Sequence, residues 1–174
     1  WVGQLVDVLE SDQRIGAAVP KILYHPDGQE LSHDNSAVIN SFGVLVNYTG
    51  IACPNLVDQQ DKDDLPLTET ACGGIFMFRR EVYEQVGGFD EDLFLYHEDH
   101  DLSWRIRLGG WKLMVTPKSV CYHHYNFNKG MHKFYRSEKN RLYILFKNME
   151  CKTLILIFPA LVVIELAQIV HALV

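Results

Sequence analysis

The chain has 174 residues, a formal net charge of −6 at pH 7, 48% apolar residues and 22% charged residues. This length and composition describe a globular protein with one sizeable core and exclude an intrinsically disordered chain. The acidic balance argues against a general nucleic-acid-binding protein, so no nucleic-acid partner is expected.

The cysteines lie far apart, and no CxxC pair or zinc-like spacing occurs among them. Reduced thiols in a cytosolic setting are therefore expected rather than a disulfide framework. The four positions are Cys53, Cys72, Cys121 and Cys151.

The first part of the chain predicts a helix followed by strands. Residues 5–9 read as the end of a helix, and Ile15–Tyr24 reads as a strand with Pro20 at an edge or bend. Turn-forming residues fill 25–36, and weak alternation over 37–48 indicates one or two short strands.

Helix and strand patterns alternate in the middle of the chain, and glycine pairs or a proline close several of them. An acidic run that begins at Glu98 indicates the N-terminus of a helix. The expected elements are, in order, a strand at 74–78, a helix at Arg80–Gln85, a helix at Glu98–Leu108, strands at 111–115 and 120–122, and a helix at 133–148.

The C-terminal segment differs in composition from everything before it. Residues 154–164 form an unbroken apolar run, and within 153–174 the strongly polar residues are Glu165, Gln168 and His171. The length suits a transmembrane helix. Because the polar residues recur every third position, they share one helical face. That face suits contact with other helices or an amphipathic helix lying at the membrane surface.

A basic segment precedes this tail. From Lys129 to Lys152 there are seven Lys or Arg residues against Glu138 and Glu150. Such a patch suits phosphates or an anionic membrane surface, and a solvated helix face is the alternative. Basic residues before a hydrophobic helix place its N-terminal side in the cytoplasm. We therefore expect 151–174 to be membrane-associated, with the preceding domain on the cytoplasmic side.

The densest group of chemically active side chains occupies 96–101, where a loop turns into a helix. Exposed amides at a helix N-terminus favour ionised carboxylates, and a charged carboxylate that a hydroxyl can reach is a candidate general base. The alternative is structural: Glu98 or Asp99 caps the helix, and Asp101 stabilises its first turn.

The sequence around this cluster contains a long ordered motif. A glycine pair precedes an apolar strand, and a basic helix, a Gly-Gly-Phe-Asp-Glu turn, a Glu-Asp pair, an Asp-Leu pair, an arginine and a glycine follow. These are Gly73 and Gly74, Arg79 and Arg80, 87–91, Glu98 and Asp99, Asp101 and Leu102, Arg105, and Gly109. The motif resembles that of family 2 glycosyltransferases with the GT-A fold, of the rhamnosyltransferase type. The resemblance is specific over 72–111 and looser over 15–148.

The resemblance implies a fold and a division into domains. The fold is a partial GT-A fold: an α/β, Rossmann-like mixed sheet with flanking helices, which lacks the N-terminal nucleotide-binding half and ends in a hydrophobic helix. Residues 1–150 would be the acceptor-side portion of the catalytic domain, and 151–174 the membrane-associated helix. A divalent cation, Mg²⁺ or Mn²⁺, would have its main ligands in the missing half, so the isolated fragment is expected to be inactive.

The resemblance also implies roles for single residues. Asp99 stands where the family has its catalytic base, which takes the proton of the acceptor hydroxyl as that oxygen attacks the anomeric carbon with inversion. The glycine pair would let the backbone approach the donor sugar, since it has no side chain to prevent this. The residues assigned to donor or acceptor binding are Gly73, Gly74, Glu98, Asp101 and Arg105.

Two further groups follow from the same resemblance. One of His123 and His124 is expected to contact the metal or the diphosphate, and a surface or packed histidine is the alternative. Lys133, Arg136 and Arg141 would neutralise the leaving diphosphate. A role for the same charges at the membrane surface is the alternative.

The sequence therefore predicts an inverting glycosyltransferase fragment that uses a nucleotide-diphosphate sugar. Its hydroxyl acceptor is expected to belong to cell-envelope polysaccharide or lipid-linked glycan synthesis. A non-catalytic, membrane-tethered α/β domain that kept the fold is one alternative. The other is a metal-binding module, with ligands drawn from His97, His100, Asp99 or Asp101, and His123 or His124.

Overall fold

The computed structural model of the protein describes residues 1–25, 37–123 and 131–173. Along these ranges one helix is followed by six strands, two helices, a last strand and two further helices. The helices are α1 (Val2–Ser11), α2 (Arg80–Gln85), α3 (Glu98–Leu108), α4 (Met131–Asn148) and α5 (Cys151–Leu173). The strands are β1 (Ile15–Tyr24), β2 (Ile39–Ser41), β3 (Val44–Val46), β4 (Ala52–Pro54), β5 (Thr68–Glu69), β6 (Met77–Phe78) and β7 (Lys112–His123).

A five-stranded mixed sheet forms the centre of the fold, with β1 and β7 as parallel neighbours. The other edge of β1 is shared by two short antiparallel strands: β6 pairs with its first half, and β2 with its second. Strand β5 pairs antiparallel with β7. Strands β3 and β4 form a separate antiparallel hairpin. This α/β architecture of a mixed sheet with flanking helices is the predicted one.

Strand β1 lies within the sheet, which explains its nearly continuous apolar sequence. Its first nine residues are buried. Successive side chains point to opposite faces, so Ala17 joins the core beneath α2 and α3, and Ala18 joins the cluster beneath α1. Helices thus cover both faces of the sheet, and this packing sets the position of the α3 N-terminus.

The expected strand at 74–78 is shorter than predicted, because β6 contains Met77 and Phe78 alone. The cause is a tight turn at the glycine pair. Gly74 has φ +71°, and the N–H of Ile75 donates to the carbonyl of Gly73 at 2.8 Å. Residues 73–75 therefore turn the chain instead of extending it.

A proline that was expected to end a strand lies inside β7. The predicted strands at 111–115 and 120–122 are parts of one strand, which runs through Pro117. The β1–β7 register shifts at this point, since Pro20 pairs with Thr116 but Lys21 pairs with Val120. The intervening residues bulge out of the ladder, so the missing N–H of Pro117 interrupts no regular pairing.

Helices α4 and α5 form a hairpin that packs against α3. Leu145 of α4 packs with Ile157 and Leu161 of α5, and Trp104 of α3 joins this cluster. Within the described ranges, Cys151–Val170 is long and apolar enough to cross a membrane, and little of it is buried in the domain. Length and composition alone support membrane association weakly, and the cytoplasmic orientation stays a prediction.

Candidate active site

The loop that enters α3 is held in an unusual backbone conformation. Tyr96 (φ +71°) and His97 (φ +67°) are consecutive left-handed residues. Such a conformation costs roughly 1–3 kcal/mol for a non-glycine residue and is found mainly at functional sites. The side-chain amide of Asn140 in α4 supports it by donating to the carbonyls of Leu95 (2.9 Å) and Tyr96 (2.8 Å). The sequence analysis missed Asn140, since one polar residue within a basic helix carries no distinguishing signal.

Asp99 lies in the first turn of α3, where backbone amides hold its carboxylate. Its Oδ2 accepts from the N–H of Gly74 at 2.9 Å, and its Oδ1 accepts from the N–H of His100 at 2.8 Å. The side chain keeps 15% of its surface exposed. Because each carboxylate oxygen has a further lone pair, an oriented and accessible proton acceptor remains.

Ser103, one turn further along α3, also links this helix to the segment before β6. Its hydroxyl donates to the carbonyl of Asp99 at 2.6 Å and accepts from the N–H of Cys72 at 2.8 Å. The serine is buried. The segment before β6 is therefore attached to α3 at two points, through Ser103 and through Asp99. A serine inside a helical pattern gave no reason to single it out from sequence.

The two glycines of the pair have different surroundings. A Cβ on Gly73 would lie 2.6 Å from Cγ2 of Val44, so this glycine is required for packing against β3. Gly74 adopts φ +71°, and a Cβ there would meet nothing within 4 Å. Open space therefore borders Gly74 beside the Asp99 carboxylate. The expectation that both glycines contact the donor sugar stays a prediction.

Glu98 presents a polar atom whose hydrogen-bonding capacity is not used within the described part of the chain. Its Oε2 is buried and has no hydrogen-bond partner there. Burial raises the pKa of the Glu98 carboxyl, and the neighbouring charge of Asp99 acts in the same direction. Buried carboxylate oxygens are normally paired, so this unpaired oxygen beside Asp99 is an exception among the described residues.

His97 and His100 connect the first turn of α3 to α4. Their Nδ1 atoms are 3.0 Å apart, and Nε2 of His97 lies 3.2 Å from the hydroxyl oxygen of Ser137. Burial and, to a smaller extent, the nearby His100 lower the pKa of His97 to about 4. His97 is therefore neutral at neutral pH, and its ring takes part in a hydrogen-bonded chain.

The metal-binding alternative gains no support from the residues that the structure covers. Across 1–25, 37–123 and 131–173, no three His, Cys, Asp or Glu side chains group into a possible metal site. His123 ends β7, where its carbonyl accepts from the N–H of His25 at 3.2 Å. His124 lies outside the described residues. The assignment of one of these two histidines to metal or diphosphate stays a prediction.

Asp101 and Arg105, expected near donor or acceptor, lie in an internal ion-pair network. The Asp101 side chain is fully buried, and its Oδ2 accepts from Nη2 (2.7 Å) and Nε (2.9 Å) of Arg105. Lys147 and Asn148 of α4 donate to the same carboxylate, at 3.0 and 2.9 Å.

The Arg105 guanidinium also fixes the glycine turn after α2. Its Nη1 donates to the carbonyl of Val86, and its Nη2 donates to the carbonyl of Gly88 at 2.7 Å. The network thus joins the turn, α3 and α4 from inside the protein. Ligand binding by Asp101 and Arg105 stays a prediction, and their contacts favour a positioning role.

Of the three basic residues predicted to bind diphosphate, two are exposed and one is buried in an ion-pair network. Lys133 and Arg136 are exposed on α4. Arg141 is 1% exposed and donates to the carbonyl of Thr49 at 2.7 Å. Its remaining donors bind Glu138 of α4 and Glu165 of α5. Lys133 and Arg136 are therefore free to meet a diphosphate, whereas the charge of Arg141 is already neutralised.

A pocket of about 360 Å³ opens beside α3, between this helix and the β3–β4 hairpin. His100 and Ser103 line it one turn or less from Asp99. Two aromatic side chains, Trp104 and the exposed Tyr48, also border the pocket. Aromatic faces together with hydrogen-bonding groups suit a ligand that has both apolar and polar surfaces.

Comparison with known proteins finds relatives among glycosyltransferases. Residues 62–132 match the family described as the N-terminal domain of galactosyltransferase. N-acetylglucosaminyl-diphospho-decaprenol L-rhamnosyltransferase of Mycobacterium tuberculosis is 42% identical over 52 residues, which are 30% of this chain and 17% of that protein.

Two further relatives have wider or more distant matches. Polypeptide N-acetylgalactosaminyltransferase 3 of Homo sapiens is 32% identical over 84 residues, covering 47% of this chain and 13% of that protein. O-antigen biosynthesis protein RfbC of Myxococcus xanthus is 27% identical over 137 residues, covering 71% of this chain and 10% of that protein. The chain therefore spans only a small part of the length of these relatives.

A solved structure of GalNAc-T7 with UDP, GalNAc and Mn²⁺ matches with a TM-score of 0.56 at 19% identity, over 83% of this chain and 28% of that one. At this identity the match shows the fold, and it confirms the predicted partial GT-A fold. Taken with the sequence matches, it supports a likeness to glycosyltransferases of the GT-A type. Membership of family 2 stays a prediction.

Proposed function

Starting from a glycosyltransferase of the GT-A type, we propose that this chain carries the acceptor side of an inverting enzyme. The enzyme transfers a sugar from a nucleotide-diphosphate sugar to a hydroxyl acceptor. The observation that carries the proposal is the Asp99 carboxylate, which two amides orient beside the open space at Gly74. A fixed, accessible carboxylate at this point is what a general base requires.

In the proposed reaction the acceptor oxygen attacks the anomeric carbon of the donor sugar. The new carbon–oxygen bond forms as the bond to the diphosphate breaks, and the diphosphate leaves with that electron pair. Asp99 takes the proton of the acceptor hydroxyl, so the attacking oxygen does not acquire a positive charge. A single displacement from the face opposite the leaving group inverts the anomeric configuration and needs no enzyme nucleophile.

Neighbouring groups have positions that suit the acceptor. The Glu98 carboxylate, next to Asp99 in the first turn of α3, is proposed to accept a second acceptor hydroxyl. The pocket bordered by Tyr48 and Trp104 is large enough for a sugar ring and lies on the same side of α3 as His100. Gly74, with open space where a side chain would stand, allows the donor sugar to approach the backbone.

A divalent cation, Mg²⁺ or Mn²⁺, is proposed to neutralise the leaving diphosphate. The described residues offer no cluster that fits such an ion. Its main ligands, and most of the nucleotide site, are proposed to lie outside residues 1–174. Lys133 and Arg136 are exposed and could add positive charge at the diphosphate. We expect residues 1–174 alone to be inactive.

The acceptor is proposed to be a lipid-linked or cell-envelope glycan at the cytoplasmic side of a membrane. The decaprenol-linked substrate in the name of the rhamnosyltransferase relative supports a lipid-linked acceptor. The apolar α5 supports a site near lipid. Fold alone does not specify a substrate, so this part of the proposal depends on the match to the relative and on the helix.

The proposal is tested by nucleoside diphosphate release from a panel of nucleotide sugars, using the full-length protein in membranes. Asp99→Asn keeps the size of the side chain and removes its basicity. Loss of a general base typically slows turnover by roughly 10²–10⁴-fold, and we expect a decrease in that range. Nuclear magnetic resonance of the product gives the anomeric configuration, which should be opposite to that of the donor.

Asp7→Asn is the matched control, because Asp7 is an exposed carboxylate on α1 on the other face of the sheet. It should leave turnover unchanged. Undiminished turnover in Asp99→Asn would move the base to another residue, and retained configuration would exclude a single displacement. Absence of release from every donor would favour a non-catalytic domain.

A further inference from the structure

Helix α5 is fastened along its length to the domain that carries Asp99. Near its start, Ile157 and Leu161 pack against Leu145 of α4 and Trp104 of α3. Further along, Glu165 pairs with the buried guanidinium of Arg141 in α4. Earlier residues of α4 thus contact later residues of α5, and the helix runs back along the domain.

The Glu165–Arg141 pair restricts how α5 can meet a membrane. Glu165 follows Cys151 by fourteen residues, which is about 21 Å of helix. If α5 stood across a hydrocarbon core about 30 Å thick, Glu165 would lie well inside it. Arg141 and the Thr49 carbonyl that it binds would be carried to the same depth, together with the polar loop around Thr49. Burying these groups in lipid is strongly unfavourable.

The opposite face of α5 is apolar and exposed. Leu156, Val163 and Val170 are seven residues apart, share one side of the helix, and are 80%, 66% and 61% exposed. The adjacent end of α4 adds basic and aromatic side chains to the surface of the hairpin. Exposed residues of that end include Phe134, Tyr135 and Lys139. Because α4 covers the Glu165 face, the apolar face of α5 is the one left open to lipid, and the basic residues beside it suit an anionic membrane surface.

We propose that α5 lies in the plane of the membrane interface, with its exposed apolar face in lipid and its Glu165 face clamped to the domain. This inference rests on the membrane location in the proposed function and goes beyond it, because it decides between a spanning helix and one that lies in the plane of the membrane. Because Trp104 belongs to the same helix as Asp99, the clamp also sets the height of the candidate active site above the bilayer. An acceptor held in the membrane would then meet Asp99 at a constant distance from the bilayer surface.

The experiment measures the depth of three spin labels in the full-length protein, reconstituted into vesicles of phosphatidylcholine and phosphatidylglycerol. The labels are placed by Leu156→Cys, Val163→Cys and Val170→Cys, one at a time. For an in-plane helix we expect all three at one shallow depth, within about 5–10 Å of the headgroup boundary. A spanning helix would separate successive labels by about 10 Å. That stepped profile, or labels that remain in water, would overturn the inference.

Two controls make the result specific. A label at Glu84, exposed on α2, should remain in water throughout. The labelled background replaces the three cysteines that are not fully buried, Cys53, Cys121 and Cys151, by serine.

A second variant tests the clamp itself. Glu165→Gln removes the charge that Arg141 neutralises, so α5 should separate from α4 and the Val170 label should move deeper. Glu150→Gln, at an exposed glutamate in the turn between the helices, should change nothing. Unchanged depths in Glu165→Gln would show that the ion pair does not hold the helix.

Donor turnover on the same samples keeps the two proposals separate. Shallow, equal depths without nucleoside diphosphate release would support the in-plane helix and contradict the transferase. Release together with a stepped depth profile would support the transferase and overturn the in-plane helix.

Discussion

Asp99 and Asp101 are two residues apart on the same helix and have opposite surroundings. The Asp99 carboxylate accepts from two backbone amides and remains partly exposed beside the open space at Gly74. The Asp101 carboxylate is fully buried and accepts from Arg105, Lys147 and Asn148. One acid can therefore meet a ligand, and the other holds the elements that position it.

The difference arises from helical geometry. Two residues along a helix correspond to a rotation of about 200°, so the two side chains leave opposite sides of α3. The Asp101 side faces α4 and the glycine turn, and the Asp99 side faces the segment before β6. A single short motif can thus combine a chemical residue with a structural one.

The largest expected effect on folding is at Asp101. Asp101→Ala leaves Arg105 without its carboxylate inside the protein, whereas Lys147 keeps Asp90, and breaking a buried ion pair in this way costs about 3–5 kcal/mol. Asp99→Ala should lower the free energy of unfolding much less, because its bonds are to two amides at a partly exposed site. Denaturant unfolding of the full-length protein compares the two variants.

The double variant Asp101→Leu with Arg105→Met provides the control for this prediction. It replaces most of the ion pair by apolar side chains of similar size and should recover part of the lost stability. An equal loss of stability in Asp99→Ala and Asp101→Ala would contradict the division between the two acids.

A smaller loss of stability is expected at the glycine pair. Here too the two neighbouring residues have different surroundings. Gly73→Ala places a Cβ against Val44, and overpacking costs about 1–3 kcal/mol. Gly74→Ala meets no atom but must keep a left-handed backbone, which costs about 1–2 kcal/mol. Unfolding measurements on both variants, alone and with Val44→Ala, separate the two causes. Val44→Ala should offset the cost at Gly73 and not at Gly74.

The smallest expected effect is the pH dependence contributed by His97, which precedes both acids. Its folded pKa of about 4 lies below the unfolded value of 6.5, so the unfolded state binds the proton first as the pH falls. The stability that neutral His97 contributes is present above pH 6.5 and is lost as the pH falls toward 4. Between pH 7.5 and 5.5 the loss is about 1 kcal/mol.

Amide hydrogen exchange over 97–101 at both pH values measures this effect, after correction for the intrinsic exchange rate. His97→Gln keeps a hydrogen-bonding side chain and should remove the loss. The raised pKa of Glu98 acts in the opposite direction, since the folded state then binds its proton more readily as the pH falls. A wild-type loss that persists in His97→Gln would assign the pH dependence to another group.

Local sequence patterns were enough to predict most elements. Strand β1 and helices α2 and α3 begin and end at the predicted residues, because an apolar run, glycine stops and an acidic first turn are local signals. The errors at 74–78 and at Pro117 have tertiary causes. In one case the turn at Gly74 is stabilised by a contact with Asp99, and in the other a bulge opposite Pro20 accommodates the proline.

The sequence by itself determined the α/β class, the motif from Gly73 to Gly109 and the resemblance to GT-A glycosyltransferases, because these depend on the order and spacing of residues. Only the tertiary structure decided which acid of the motif is open and which is buried. It also brought Asn140 to the α3 loop and Glu165 to Arg141, across 44 and 24 residues of chain. The physical reason is that burial and ion pairing depend on what the fold places opposite each side chain.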